Sequence, residues 1–407
     1  MSAASVASRS EAQTADVAFG GWSWRPREVG ARPSGLGGAF VAVADDARAA
    51  VTNPAGVALV PNVEFGLGVG ERWGSVAAAL RGRTVPVSGV PADSAGQPRP
   101  CPAGPQPRPW ALALFAQQTL RHDSRLEVVS GPGLVQEGVL AADREQVGVA
   151  LARGLTHWLN LGLSLNWRHL RMEGSTRLRD AAGTERRRVT LEGDANKARA
   201  VLGALATFGP PRSPTAFRVG VAFERDLSAW TVGRREVDVT AGTVAPPARV
   251  RIEEPPLLSG GVAWRLSDTW LVSGQIDYIW YTDVVGALRH NEAADAEAFR
   301  LADGWEPRFG IEYTRASPIG GYLKVRGGLR RETAGRLGYE GVDLARTQAF
   351  PDVGAAFRGS AGISLLAEFY ARAARFDLDL SQVVVARTSS LSAAGTRRFS
   401  FNVTVRL

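Results

Sequence analysis

Residues 159–168 read LNLGLSLNWR. Leu159, Leu161, Leu163, Leu165 and Trp167 take one set of alternate positions, and Asn160, Gly162, Ser164, Asn166 and Arg168 take the other. Successive side chains of a β-strand point to opposite faces, so this strand meets apolar surroundings on one side and polar ones on the other. The C-terminal FSFNVTVRL repeats the pattern. Phe399, Phe401, Val403, Val405 and Leu407 alternate there with Ser400, Asn402, Thr404 and Arg406. Residues 217–224, 270–280 and 308–313 do the same.

A soluble sandwich also alternates. Here the candidate strands often run ten to fifteen residues. Soluble strands are usually about 5–6 residues, whereas about 9–11 tilted residues cross a bilayer. The polar face mixes small and charged residues, as a wet lumen would. Connections near 154–157, 210–215, 266–269 and 316–320 are short, and those near 172–198, 233–255, 283–303, 332–355 and 381–396 are long. Short turns at one end and long loops at the other are the plan of bacterial outer-membrane barrels. Trp110, Trp158, Trp167, Trp264, Trp270, Trp280, Tyr281 and Trp305 sit near strand ends, where interfacial girdles form.

The pattern predicts strands at 62–72, 75–85, 109–119, 143–153, 158–171, 199–208, 215–232, 255–266, 269–282, 304–315, 320–331, 356–366, 367–380 and 397–407. The expected fold is all-β: a transmembrane antiparallel β-barrel of about 14 strands with an N-terminal plug containing a short helix. No run of 18 apolar residues exists, so no transmembrane helix is available.

The 407 residues carry a net charge of +8, with arginine far outnumbering lysine. The arginines are scattered, with no compact basic helix and no aromatic RNA-binding signature, so a solvated basic surface is expected and nucleic acid is not. The single cysteine, Cys101, has no intrachain partner. Residues 1–20 lack the apolar core of a signal peptide, so a signal is expected to have been removed or to lie upstream.

Residues 86–109, PVSGVPADSAGQPRPCPAGPQPRP, are too rich in proline for a central strand and read as an insertion between strands. Residues 1–61 lack the barrel pattern. Asp45 or Asp46 is expected to cap a short helix over roughly 46–52. Pro54 holds Asn53 extended and stops that helix, and Gly56 permits a turn. About eight strands already fill a barrel interior with their own side chains, so fourteen leave room for a plug. The expected division is a hatch at 1–61 and a barrel at 62–407.

Candidate lumen-lining residues on the polar faces are Asn160, Asn166, Arg168, Arg218, Glu224, Gln275, Asp277, Arg308, Glu312, Lys324 and Arg326. They read as an internal charge network, or as a source of one cation that pairs with a ligand carboxylate. His122, Asp123 and Ser124 are consecutive and alternate in facing, so they form no Ser-His-Asp relay. His157 and His169 are isolated, and Glu253 and Glu254 read as loop charges. No catalytic set, metal site, nucleotide motif or cofactor is expected.

The stretch GLGGAFVAVADDARAAVTNPAGVALV, residues 35–60, resembles the N-terminal signature of the FadL-type family of outer-membrane long-chain fatty acid transporters. It is similar, too, to PorV/PorQ-like outer-membrane barrels. The likeness implies a monomeric fourteen-stranded barrel in the bacterial outer membrane, among lipid and lipopolysaccharide. It assigns Asn53, Pro54 and Ala55 to the hatch, with Asp45, Asp46 and Gly56 beside them. It implies passive, hatch-gated uptake of a hydrophobic small molecule such as a long-chain fatty acid, and no enzyme activity. The PorV-like alternative is a docking module that holds a protein partner at its long loops. Leu407 departs from the pattern, since an aromatic residue usually ends such a chain.

Overall fold

The structure is a computed structural model describing residues 16–24, 30–60, 63–69, 73–80, 110–209, 216–290, 296–317, 321–369, 372–386 and 397–406. The Pro-rich segment at 86–109 and Cys101 lie outside the described residues.

Among the described residues nineteen strands run in chain order: β1 (Val63–Val69), β2 (Trp73–Leu80), β3 (Trp110–Gly131), β4 (Leu134–Gly154), β5 (Leu159–Asp180), β6 (Glu185–Phe208), β7 (Phe217–Asp226), β8 (Trp230–Asp238), β9 (Thr243–Val244), β10 (Ala248–Ile252), β11 (Leu257–Arg265), β12 (Trp270–Ile279), β13 (Phe299–Arg300), β14 (Gly304–Ala316), β15 (Tyr322–Glu332), β16 (Gly338–Tyr339), β17 (Ala356–Phe369), β18 (Arg372–Ala386) and β19 (Arg397–Arg406). Fourteen of them close a ring. β1 through β7 pair in sequence, β7 pairs with β11, and β11, β12, β14, β15, β17, β18 and β19 follow in turn. β19 pairs back onto β1, with Phe65 opposite Val405. Every pairing is antiparallel, so the fold class and strand number expected from the alternation hold. β8, β9 and β10 form a flap on the upper part of β6, and β13 pairs with β16.

Two girdles bracket an apolar outer belt. Trp110, Trp158, Trp264 and Trp270 are exposed at the short-turn end, and Trp167 and Trp305 are exposed higher up. Leu161, Leu163 and Leu165 lie exposed between the girdles. From Trp158 to Trp167 is roughly 20–25 Å of tilted strand, the thickness of a membrane's apolar layer.

Four strands run far past this belt. The reading placed a loop at 172–198, but β5 and β6 continue as a paired hairpin to Asp180 and Glu185. β3 and β4 likewise fill most of 119–143. Along β5 the lumen side changes from Asn166 and Arg168 to the buried Leu170 and Met172, while the outer side changes from Leu165 and Trp167 to His169 and Arg171. The alternation inverts where the strand leaves lipid for water. The sequence window lost its signal there because apolar-out becomes apolar-in. On β3 the same crossing coincides with a bulge at Thr119 that shifts register against β4.

Other boundaries also move. β7 ends at Asp226 rather than 232. The β17–β18 hairpin turns after Phe369, opposite Arg372, rather than near 366.

Candidate functional site: a hatch and the chamber above it

Residues 16–24 lie at the long-loop end. Phe19, Trp22 and Trp24 are buried there with Val128, Leu140, Trp230, Tyr339 and Phe350. Residues 30–60 descend into the lumen. Leu36, Phe40, Val43, Ala44 and Val57 pack against Ala111, Ala113, Ala150 and Ala152 of the wall.

This segment contains α1 (Ala31–Gly35) and α2 (Ala49–Thr52). The helix expected over 46–52 is thus shorter, and α1 was not foreseen. Asp46 still acts at the turn: its carboxylate accepts from the Arg48 backbone N–H at 3.1 Å. Asp45 does not cap the helix. It pairs with Arg32 and, at 3.5 Å, with Arg218.

Bare backbone in the wall lets the hatch come close. A Cβ on Gly162 would stand 2.3 Å from Ala55 N, on Gly203 2.2 Å from Asn53 Oδ1, and on Gly220 2.4 Å from Val41 O. On Gly310 it would meet Leu36 O at 2.5 Å, and on Gly328 it would meet Gly37 N at 2.0 Å. Such distances are closed to any side chain. Gly162 faces Gly203 across β5–β6, and Gly310 faces Gly328 across β14–β15, so the glycines form a partial belt at hatch level.

Asn53 fastens the hatch to that belt. Its extended backbone (φ −149°, ψ 95°) is the conformation a residue before proline prefers. Its Oδ1 accepts from Ala55 N at 3.2 Å, and its Nδ2 donates to Val41 O at 2.8 Å and to Ala204 O at 3.1 Å. Pro54, Ala55 and Gly56 follow in a buried 3-10 turn. Replacing Asn53 by alanine removes a cap and strands a buried carbonyl, a loss of about 2 kcal/mol. Hydrogen exchange over residues 50–60 is expected to quicken about tenfold or more while the barrel stays intact; unchanged exchange would refute this role.

Electrostatic contacts tie the segment further to the wall. Arg32 is buried, pairs with Asp45, with Asp46 at 3.0 Å and with Glu312 at 3.3 Å, and so ties the hatch to β14. Glu312 also receives Arg326 at 2.6 Å and Lys324 at 3.1 Å. Gln275 accepts from the N–H groups of Phe40 and Val41, both at 2.9 Å. Asp277 pairs with Arg308, and Arg218 donates to Val43 O at 3.0 Å.

Above the hatch lies a chamber of about 110 Å³, partly open to solvent. Phe40, Val41, Val51, Val201, Ala222 and Leu257 give it an apolar side. Arg144, Arg168, Arg199, Glu224 and Glu254 give it a charged one. Arg168 pairs with Glu224 at 2.9 Å and with Glu254 at 2.6 Å. Arg199 pairs with Glu224, and Lys197 pairs with Asp226 and, at 2.8 Å, with Glu254. The Lys197 ammonium lies 3.4 Å from the ring centre of Trp230. These charges stand at the level where the alternation inverts.

Of the candidate lumen residues, Asn166, Arg168, Glu224, Gln275, Asp277 and Arg308 line this chamber. Arg218 instead contacts the hatch, while Lys324 and Arg326 pair with Glu312, the wall residue that holds Arg32. Asn160 is half-buried near the short-turn end. Glu254, read as a loop charge, turns inward. Arg32, Arg144, Lys197 and Arg199 were missed, although Lys197 and Arg199 sit on the inward parity of β6. His122 and Ser124 share a face and touch at 3.0 Å, while Asp123 is exposed on the opposite face. Among the described residues no group of three His, Cys, Asp or Glu is placed to hold a metal ion.

No family model matches the chain, and no curated protein matches it. Solved structures do. A FadL homologue of Pseudomonas aeruginosa aligns over 93% of this chain and 98% of its own, with TM-score 0.57 and 10% identity. The toluene transporter TodX of P. putida aligns over 94% and 97%, with TM-score 0.54 and 13% identity. The toluene transporter TbuX of Ralstonia pickettii aligns over 94% and 98%, with TM-score 0.54 and 15% identity. The likeness is one of fold: the barrel with its N-terminal segment is the FadL-type architecture.

Proposed function

We propose that this chain is an outer-membrane channel for passive uptake of hydrophobic small molecules, with residues 1–61 as its hatch. One observation supports the reading: a chamber with one apolar and one charged side lies between the barrel wall and the N-terminal segment packed inside it. An apolar tail gains about 25 cal/mol for each Å² it buries, so a greasy surface can load ligand without a cofactor. A long-chain fatty acid or similar apolar acid suits the paired character of the chamber. The fold is shared with proteins described as toluene transporters and a FadL homologue, which supports a channel without naming its cargo. The resemblance implies a monomer, and the apolar belt and girdles support a setting among outer-membrane lipid and lipopolysaccharide.

Mass spectrometry of the detergent-purified protein, against detergent blanks, tests this. A stoichiometric long apolar molecule is expected. A bare barrel that carries a co-purified protein would instead support the PorV-like docking role. The long β3–β6 palisade above the belt is the observation that favours that second reading.

A further inference from the structure

The polar wall of the chamber is not all charge. Gln117 on β3, Gln146 on β4 and Asn166 on β5 are buried and line it, between the alanines that meet the hatch and the level of Arg144 and Arg168. Register sets them side by side. Gln117 lies opposite Gln146, and Asn166 lies opposite Gly148, two residues along β4. A Cβ on Gly148 would stand 2.5 Å from Asn166 Oδ1, so bare backbone makes room for that amide. Side chains directly opposite on antiparallel strands stand about 5 Å apart at Cβ, within reach of one small group.

The neighbours of this row are already engaged. Arg168 is held by Glu224 and Glu254, and the Thr119 hydroxyl accepts from Arg144 Nε at 2.7 Å. Asn166 Oδ1 accepts from the Ser164 hydroxyl at 3.0 Å. Gln146 differs: it is 2% exposed, and among the described residues its Oε1 has no hydrogen-bond partner. A buried acceptor without a donor is costly, and a ligand that supplies the donor removes the cost. A carboxamide carries no charge, so it offers a matched hydrogen bond rather than an ion pair.

We propose that Gln117, Gln146 and Asn166 form a seat for an uncharged hydroxyl, so that the channel takes phenols and alcohols and tells them from the parent hydrocarbon. The inference rests on the transport reading and adds a class of cargo for the same chamber. The ligand hydroxyl donates to Gln146 Oε1, and its oxygen accepts from an NH₂ group of Gln117 or Asn166. The apolar body lies against Phe40, Val41 and Val201, which line the same chamber. A hydrocarbon of equal size leaves Gln146 unpaired, and a site built to bond a hydroxyl rejects the analogue that lacks it.

p-Cresol and p-xylene differ by a hydroxyl in place of a methyl. A phenol ionises near pH ~10, so p-cresol is uncharged at neutral pH and makes no ion pair with the arginines. Calorimetric titration of the detergent-solubilised protein gives the cresol-to-xylene affinity ratio. Gln146→Leu, which keeps the volume and removes the amide, is expected to lower that ratio about tenfold through weaker cresol binding. A ratio that stays unchanged with xylene still binding, or that falls only because xylene binds more tightly, overturns the seat and leaves the transport reading standing. Absence of binding by either molecule to either form overturns both. If Gln146→Leu does not assemble, wild type answers alone. 4-Methylanisole keeps the oxygen and lacks its hydrogen, and is expected to bind about tenfold more weakly than p-cresol. Equal binding of the two overturns the inference.

Discussion

Arg32→Met is expected to release the hatch while leaving the barrel assembled. The variant strips Asp45, Asp46 and Glu312 of a buried partner they share. Removing one member of a buried ionic group costs about 3–5 kcal/mol, because the others stay buried without compensation. Glu312 keeps Lys324 and Arg326 and Asp45 keeps Arg218, so the loss is felt mainly at the buried Asp46 of the hatch, whose ion pair with Arg32 is removed. Hydrogen exchange across residues 30–60 should accelerate about 10²–10³-fold, and liposomes carrying the variant should leak small solutes. Arg32→Met/Asp46→Asn should recover part of the loss, as coupled neighbours do. A hatch as protected as the wild type's would show that Arg32 is not the latch.

Leu163→Arg is expected to fail at assembly. Leu163 points outward midway between the two girdles and is 41% exposed, a value that in this barrel means lipid contact. Arginine near the mid-plane of a barrel's lipid face costs about 2–4 kcal/mol. Leu163→Ala removes the same side chain without adding charge and should assemble close to normally. The resistance of the folded band to denaturing gel electrophoresis without heating reads both. Equal folded yield from the two variants would place this face away from lipid.

Within the lipid layer the strands were legible in the chain. Water inside and hydrocarbon outside force a period of two, and LNLGLSLNWR carries it without a fault. Above that layer the solvents exchange places. Leu170 and Met172 then belong to a dry interior packed by Trp22 and Trp24, and Arg171 and Glu173 belong to water. A reading that seeks one polarity stops where the sign reverses, which is why β3 to β6 were cut near Thr119, Asp143, Arg171 and Arg199. The bulge at Thr119 hid the reversal further by shifting parity within one strand.

The site was legible in parts. Asn53, Pro54 and Ala55 were assigned to the hatch by the family resemblance, and the residues themselves showed only that Pro54 holds Asn53 extended and ends the helix. Arg168, Gln275 and Asp277 followed from strand parity. Arg32 and Glu254 did not, since Arg32 sits in a five-residue helix and Glu254 in irregular backbone, and neither is long enough for a period to assign a side. Only the fold brings Arg32 beside Glu312, 280 positions away in the chain. The wall glycines were visible as residues but not as a set, because register across seven strands decides that they lie at one height.

That set of glycines also bears on how the molecule is made. The hatch is pressed into the wall as a casting is into its mould, with Gly328 and Gly310 on one side and Gly162 and Gly203 on the other. It is joined directly to β1, the strand that meets β19 to shut the cylinder, and Glu64 of β1 accepts from the Ala47 N–H at 2.8 Å. Shutting the cylinder and seating its core are therefore one act of biogenesis.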